Sequence, residues 1–226
     1  MLRNEAAWVQ RQLGALPSSK LDPLLSLGSG GTEFRDGKQP WIGQSVYAPL
    51  EQRGIQVVHH EFVPGPGVDI VGDLTDAAFL DSLSTLGTRA VICCNVLEHL
   101  DDRKPLVKIL ETLVAPGASL VVTVPRRFPY HADPIDTMYR PSVADLAADL
   151  SGFELVTGEE VACGTLWAYL RDAPDARASL LSGVRNALRR PRGSDASTQS
   201  TGPGSARYFL RPTSVTCAVF ERLPDH

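Results

Sequence analysis

Leu24-Leu25-Ser26-Leu27-Gly28-Ser29-Gly30-Gly31-Thr32 is an apolar run that ends in a glycine-rich turn. In a parallel α/β sheet such a turn lies where the sheet opens to receive a nucleotide-like ligand. Small residues there let a ligand approach the backbone, and the N–H groups of the turn become available as donors. Glycine turns are common, so the weight of this one comes from the chain downstream of it. Three more apolar strands come next, each ending in a polar residue suited to the same ligand.

Outward from that turn, the chain alternates strands and helices. Upstream, Ala6 to Leu16 reads as an amphipathic helix with Trp8, Val9 and Leu13 on one side. The first strand is Pro23 to Leu27. Phe34 to Pro49 contains Gly37, Pro40, Gly43 and Pro49, which excludes a long regular helix; a short one fits Ala48 to Arg53. Strands are expected at Ile55 to Phe62, Val68 to Val71, Ala90 to Cys94, Ser119 to Val124, Phe153 to Val156 and Val215 to Glu221. Helices are expected at Ala77 to Leu86, Leu106 to Leu113, Ser142 to Leu150 (with Ser142 as cap) and Leu166 to Arg190. Gly193 to Gly204, rich in Ser, Thr and Gly, reads as a flexible loop. The alternation argues for one doubly wound α/β domain over 1–226. Within it, 1–20 form an N-terminal helix, 126–142 a substrate loop, and 164–212 a helical insertion and flexible loop before the last strand.

Bulk composition sets limits. The chain has 226 residues, 43% of them hydrophobic, so a full core can form. A formal charge of −4 supplies no drive toward nucleic acid. Four cysteines occur and none lies in a CxxC pair; Cys93 and Cys94 sit inside an apolar run. Buried reduced thiols and a reducing compartment, the cytoplasm, are expected. The first twelve residues lack the apolar core of a signal peptide, and no run approaches the ~18 residues of a membrane span.

Two cofactor classes compete for the glycine turn: nicotinamide or flavin dinucleotides, and S-adenosylmethionine. A dinucleotide needs GxGxxG, but the third glycine position is Glu33, whose carboxylate repels a pyrophosphate. At the end of the second strand, Glu61 can accept hydrogen bonds from both hydroxyls of a ribose; the bland alternative is a solvated loop acid. Asp73 can accept from an adenine amino group while the Leu74 N–H serves a ring nitrogen, or it caps the next helix. Asn95 ends the strand Ala90 to Cys94 and lines the cleft. Glu98 and His99 follow it, and we read them as tying down the next helix.

Together these elements resemble the class I S-adenosylmethionine-dependent methyltransferases, and those of type 11 in particular. The matching residues are LLSLGSGG at 24–31, Glu61, VDIVGDL at 68–74, NVLEHLDD at 95–102 and LVAPGASLVVTVP at 113–125. The resemblance implies a Rossmann-like, mainly parallel seven-stranded sheet with an antiparallel last strand. It implies S-adenosylmethionine as cofactor, its methionine end on Gly28, Ser29 and Gly30, its ribose on Glu61, and its adenine on Asp73 and Leu74. The family usually has an acid two residues before the first glycine; here that position is Ser26. Glu33 or Asp36 is the candidate to compensate by holding the cofactor's ammonium.

Arg126 to Ser142 follows the strand ending at Val124 and is expected to overhang the cleft. It is similar to the H-x-x-P-x-D-x-x-x-R loop of methyltransferases associated with glycan and cell-surface polysaccharide assembly, here His131, Pro134, Asp136 and Arg140. That similarity implies O-methylation of a small-molecule or sugar-containing acceptor. His131 is the candidate general base, Asp136 its orienting partner, and Arg140 the group that binds an anion on the acceptor. The alternative is a self-contained turn in which Asp136 pairs with Arg140. A metal site from His131, Asp133 and Asp136 is not expected at this spacing.

Near the C-terminus, Leu180, Leu181, Val184 and Leu188 share a helical face, and Arg185, Arg189, Arg190 and Arg192 crowd its end. We read this as a buttress helix, with peripheral membrane contact through 180–192 as the alternative. Two other functions compete with methyl transfer. One is a non-catalytic binding or assembly protein, and the other a nicotinamide-dependent oxidoreductase or epimerase. Oligomeric state leaves no signal in the sequence.

Overall fold

The computed structural model describes residues 1–131, 135–165, 168 and 211–224. The expected helix Leu166 to Arg190, the loop Gly193 to Gly204, Asp133 and the 180–192 segment lie essentially outside them.

The first helix, α1 (Arg3–Ala15), buries Ala6, Trp8, Val9 and Leu13 on one face. Strand β1 (Leu24–Leu27) is wholly buried. The glycine- and proline-broken stretch after it forms two π-helical turns, Glu33–Lys38 and Gly43–Tyr47. A short α2 (Ala48–Gln52) continues from them. Then come β2 (Val57–Glu61), β3 (Ile70–Val71) and α3 (Ala77–Leu83). They lead to β4 (Ala90–Cys94), α4 (Lys104–Leu113), β5 (Ser119–Arg127) and α5 (Val143–Asp149). The chain closes with β6 (Phe153–Thr165) and β7 (Pro212–Arg222).

The seven strands form one sheet in the order β3-β2-β1-β4-β5-β7-β6. Strands β1 to β5 pair in parallel, and β7 runs antiparallel to both β5 and β6. The sheet is the Rossmann-like, mainly parallel seven-stranded sheet with antiparallel last strand that the sequence implies. Each face carries its own core. One gathers Leu80, Leu106, Leu110 and Leu146 from α3 to α5. The other gathers Trp8, Leu13, Trp41 and Leu50 from the N-terminal half. Because both faces are covered, β4 reads as an unbroken apolar run and β1 as one interrupted only by Ser26.

Strand β6 is much longer than the expected Phe153 to Val156. Its residues alternate imperfectly and most of its side chains are exposed, since it is a sheet edge. An edge strand needs little apolar periodicity when its backbone is held by a neighbour, here ten residue pairings with β7. Ser142 caps α5 as expected: its hydroxyl accepts from the Asp145 N–H, and the Asp145 carboxylate accepts from the Ser142 N–H. Cys93, Cys94 and Cys217 are buried free thiols. No helix among the described residues is long and apolar enough to cross a membrane.

Candidate cofactor and acceptor site

The strand order reverses direction between β1 and β4, the topological switch point at which open α/β sheets bind ligands. The glycine turn and Asn95 lie on its two sides. Gly28 and Gly30 take left-handed backbone conformations, with φ of 60° and 72°. A Cβ on Gly28 would lie 2.8 Å from the Val96 side chain, so the turn fits closely against the loop after β4.

The polar groups of the turn are bonded within the chain. Glu61, at the end of β2, accepts from the Gly30 N–H at 2.5 Å and from the Phe62 N–H at 3.1 Å. His60 bridges the turn to the end of β3: the Gly28 N–H donates to its Nδ1, and its Nε2–H donates to the Gly72 carbonyl at 3.1 Å. Burial holds His60 below the ordinary imidazole pKa, consistent with a neutral ring in this bridge. Arg35 is buried and gives hydrogen bonds to the Ser29 hydroxyl, the Gly30 carbonyl and the Gly67 carbonyl. Sequence reasoning missed it, since nothing in a glycine-broken stretch marks one arginine as inward-facing.

Ser26, where an acid was absent, is buried and bonded to the Tyr47 hydroxyl at 2.8 Å. Burial pushes that phenol up to about 12, so it stays neutral. Glu33 is not turned toward the glycines: its side chain is 82% exposed and pairs with Lys38 at 3.3 Å. Asp73 accepts from the Thr75 N–H and hydroxyl through Oδ1, which holds its carboxyl below the usual range. The cap of α3 is Asp76, not Asp73. Leu74 is buried beside it.

Asn95, at φ 53°, points its amide at α1, where its Nδ2 donates to Glu5 Oε1 at 2.8 Å. The same carboxylate accepts from the Thr123 hydroxyl at 2.6 Å and the Leu2 N–H at 2.7 Å. Glu5 is thus a buried, triply bonded acid linking α1 to the end of β4 and the middle of β5. Its sequence signal was slight: it directly precedes Ala6 on the buried side of an amphipathic helix.

Beyond Asn95 the loop 126–142 returns over the sheet. Asp136 Oδ1 and Oδ2 accept from Arg140 Nη1 (3.0 Å) and Nη2 (2.6 Å), and from the N–H groups of Met138 and His131. Burial opposes ionisation of Asp136, but the Arg140 guanidinium and the two N–H donors outweigh it, so the carboxyl sits below its usual range. His131 Nδ1 is 3.1 Å from Asp136 Oδ2 and 3.4 Å from the Pro129 carbonyl. The Arg140 fork is occupied by Asp136, which corresponds to the self-contained-turn alternative for that pair. Thr137 fixes the loop to the segment after β4 through two bonds to the Glu98 carbonyl.

The Glu98 side chain does not tie down the next helix as expected. It is fully buried, neither oxygen has a hydrogen-bond partner among the described residues, and burial pushes its pKa up to about 8. His99 bonds the Ile135 carbonyl through Nδ1 and meets His131 edge-to-face at 5.4 Å.

No family model and no curated protein matches the sequence. Solved structures do match. A SAM-dependent methyltransferase from Archaeoglobus fulgidus is 15% identical, with 96% of this chain and 92% of that one covered and a TM-score of 0.56. Coclaurine N-methyltransferase, solved with N-methylheliamine and SAH, is 10% identical over 96% and 70% of the two chains, TM-score 0.55. The 1,6-didemethyltoxoflavin-N1-methyltransferase of Burkholderia thailandensis, solved with 1,6-didemethyltoxoflavin and S-adenosylhomocysteine, is 14% identical over 97% and 77%, TM-score 0.50. At these identities the likeness is one of architecture: the chain has the Rossmann-like fold of the SAM-dependent methyltransferases.

Proposed function

We propose that the chain is an S-adenosylmethionine-dependent methyltransferase that O-methylates a small-molecule or sugar-containing acceptor. The observation that carries this reading is Glu61, set at the end of β2 against the Gly30 N–H and beside the switch point.

The donor and acceptor chemistry of the site fits the cofactor's nucleoside half. A carboxylate has about four lone-pair positions. Glu61 uses two on backbone N–H groups and keeps capacity for a ribose diol. Asp73 Oδ2 makes no hydrogen bond to a described residue and is available to an adenine amino group, with the Leu74 N–H beside it. Gly28, Ser29 and Gly30 supply a backbone that a ligand can approach closely, and Asn95 closes the far side. At the amino-acid end, Arg35 rather than Glu33 is the charged group at the turn, and we assign it to the cofactor's carboxylate. When bound, S-adenosylmethionine would supply an electrophilic methyl on its sulfonium.

On the acceptor side, His131 acts on the hydroxyl. Burial holds its imidazole below the ordinary pKa, so the ring is neutral near pH 7. Asp136 and Arg140 position it, and Tyr130, Ile135 and Met138 present exposed apolar surface to an acceptor. Titration calorimetry with S-adenosylmethionine and with NAD tests the cofactor. Heat with the first alone is expected, and heat with NAD alone would favour an oxidoreductase or epimerase.

A second reading, a non-catalytic assembly protein, draws on one observation: Arg35 and Glu61 already occupy polar groups of the turn. A folded chain that binds neither cofactor would establish it. A glycan acceptor and a cytoplasmic location belong to the same proposal, with peripheral membrane contact through 180–192 only the alternative to a buttress helix.

A further inference from the structure

The segment after β4, beside the acceptor loop, leaves one group unspent. Glu98 is fully buried, and its two oxygens find no hydrogen bond among the described residues. A buried carboxyl without a partner costs stability, so its retention calls for a ligand. Oε1 of Glu98 is 3.8 Å from His99 Nε2. With His131 included, one ligand atom from each of the three residues lies within 4.8 Å of the others.

Both imidazoles are already oriented. His99 Nδ1 is bonded to the Ile135 carbonyl, and His131 Nδ1 faces Asp136 Oδ2. A metal-ligating histidine characteristically holds its other nitrogen against a carbonyl or carboxylate, which fixes tautomer and ring direction. Here each ring has such a partner on Nδ1, which leaves Nε2 for a ligand. The side chains of His99 and His131 are 22% and 31% exposed, so an ion has a route in.

We propose that Glu98, His99 and His131 form a binding site for one zinc-type divalent ion. Two imidazoles and one carboxylate are a zinc donor set, whereas calcium and magnesium favour oxygen ligands. Zinc bonds of ~2.0–2.1 Å in a tetrahedron set ligand atoms about 3.4 Å apart. The observed atoms lie 3.8 Å apart for Glu98 and His99 and within 4.8 Å across all three residues, so side-chain rotations must close up to about 1.4 Å. The nearby Arg140 guanidinium is neutralised by its two-point pair with Asp136, and Glu5 adds negative charge toward Glu98. Three protein ligands leave a further position open toward the loop.

The inference deepens the methyltransferase reading and rests on it only for what the ion does. An ion with an open position lowers the pKa of a hydroxyl brought to it, so His131 would act on the acceptor as a ligand rather than as a free base. The site is testable without the reaction. The full chain, stripped with a chelator, is titrated with Zn²⁺ against a chromophoric competitor, and with Co²⁺ by visible spectroscopy.

One ion per chain is expected, with a Co²⁺ spectrum free of thiolate bands and a melting temperature raised by Zn²⁺. Glu98→Gln, His99→Asn and His131→Asn should each weaken binding by at least about a hundredfold while the circular dichroism stays unchanged. Glu98→Gln keeps the side-chain shape and removes only the ionisable oxygen, and its circular dichroism and melting temperature without metal check that it folds. No ion bound, binding that survives all three substitutions, or thiolate bands from the cysteines would each overturn the site. Calorimetry with S-adenosylmethionine runs in parallel. Metal without cofactor keeps the site and removes the methyltransferase reading; cofactor without metal removes the site and leaves His131 as a plain base.

Discussion

The two sides of the switch point differ in how they treat their polar groups. At the glycine turn the polar groups are matched within the chain, the buried His59 Nδ1 beneath it excepted: Glu61 on Gly30, His60 between Gly28 and Gly72, and Arg35 on Ser29, Gly30 and Gly67. Across the sheet, Glu98 is buried without a hydrogen-bond partner among the described residues, and His99 and His131 offer ring nitrogens toward it. A matched surface yields to a ligand only if the ligand replaces the bonds it displaces. An unmatched group gains from the first suitable partner. The turn therefore behaves as a preset shape, and the histidine cluster as a site with unspent binding capacity.

That contrast has measurable consequences. The largest concerns the frame of the cluster. Asp136→Ala would leave the Arg140 guanidinium, 11% exposed, without its carboxylate. Stability by urea denaturation should fall by about 3–5 kcal/mol. A loss under about 1 kcal/mol would mean that the pair does not hold the loop.

Next in size is an acid sensitivity on the turn side. His59 is buried, stacks edge-to-face on Tyr47 and is held down to about 4, first by burial and then by Arg35. Its folded pKa lies below the unfolded value of ~6.5, so its contribution is complete above that pH and disappears as pH falls toward 4. The full gap corresponds to about 3 kcal/mol, of which about 2–3 kcal/mol is lost between pH 7.5 and 4.5. Unfolding free energies at pH 7.5 and 4.5 should differ by this much in excess of a His59→Gln variant. Equal slopes in the two proteins would remove the assignment.

A smaller effect tests the preset shape. Gly30→Ala puts a Cβ at φ 72° and 2.6 Å from the Phe34 ring. It should cost about 1–3 kcal/mol in denaturation and weaken S-adenosylmethionine in calorimetry. An unchanged variant would show the turn to be soft. The smallest effect is at Glu33, solvated and paired with Lys38. Glu33→Gln should change cofactor affinity by less than about twofold. A tenfold loss would return Glu33 to the cofactor's ammonium.

Much of the frame was legible because its signals are local. Ala90 to Cys94 is a continuous apolar run and is a strand over the same residues. The broken helix after Thr32 followed from Gly37, Pro40 and Gly43, which prevent a regular ladder. That Glu61 and Asn95 stand at strand ends was legible from the apolar runs before them. Their partners were not: Glu61 bonds a glycine N–H 31 residues away, and Asn95 bonds an acid 90 residues away. Strand β6 was underestimated because an edge strand held by backbone pairing carries little apolar pattern.

The sequence by itself determined the order of strands and helices, the glycine turn and the place of the 126–142 loop after β5. These depend on periodicity, propensity and backbone freedom, which act over a few residues. Tertiary structure alone decided that Arg35 turns inward, that Glu5 joins α1 to β4 and β5, and that Glu98 is buried beside two histidines from different loops. Burial and hydrogen-bond matching depend on which distant segments meet, and no local pattern encodes that.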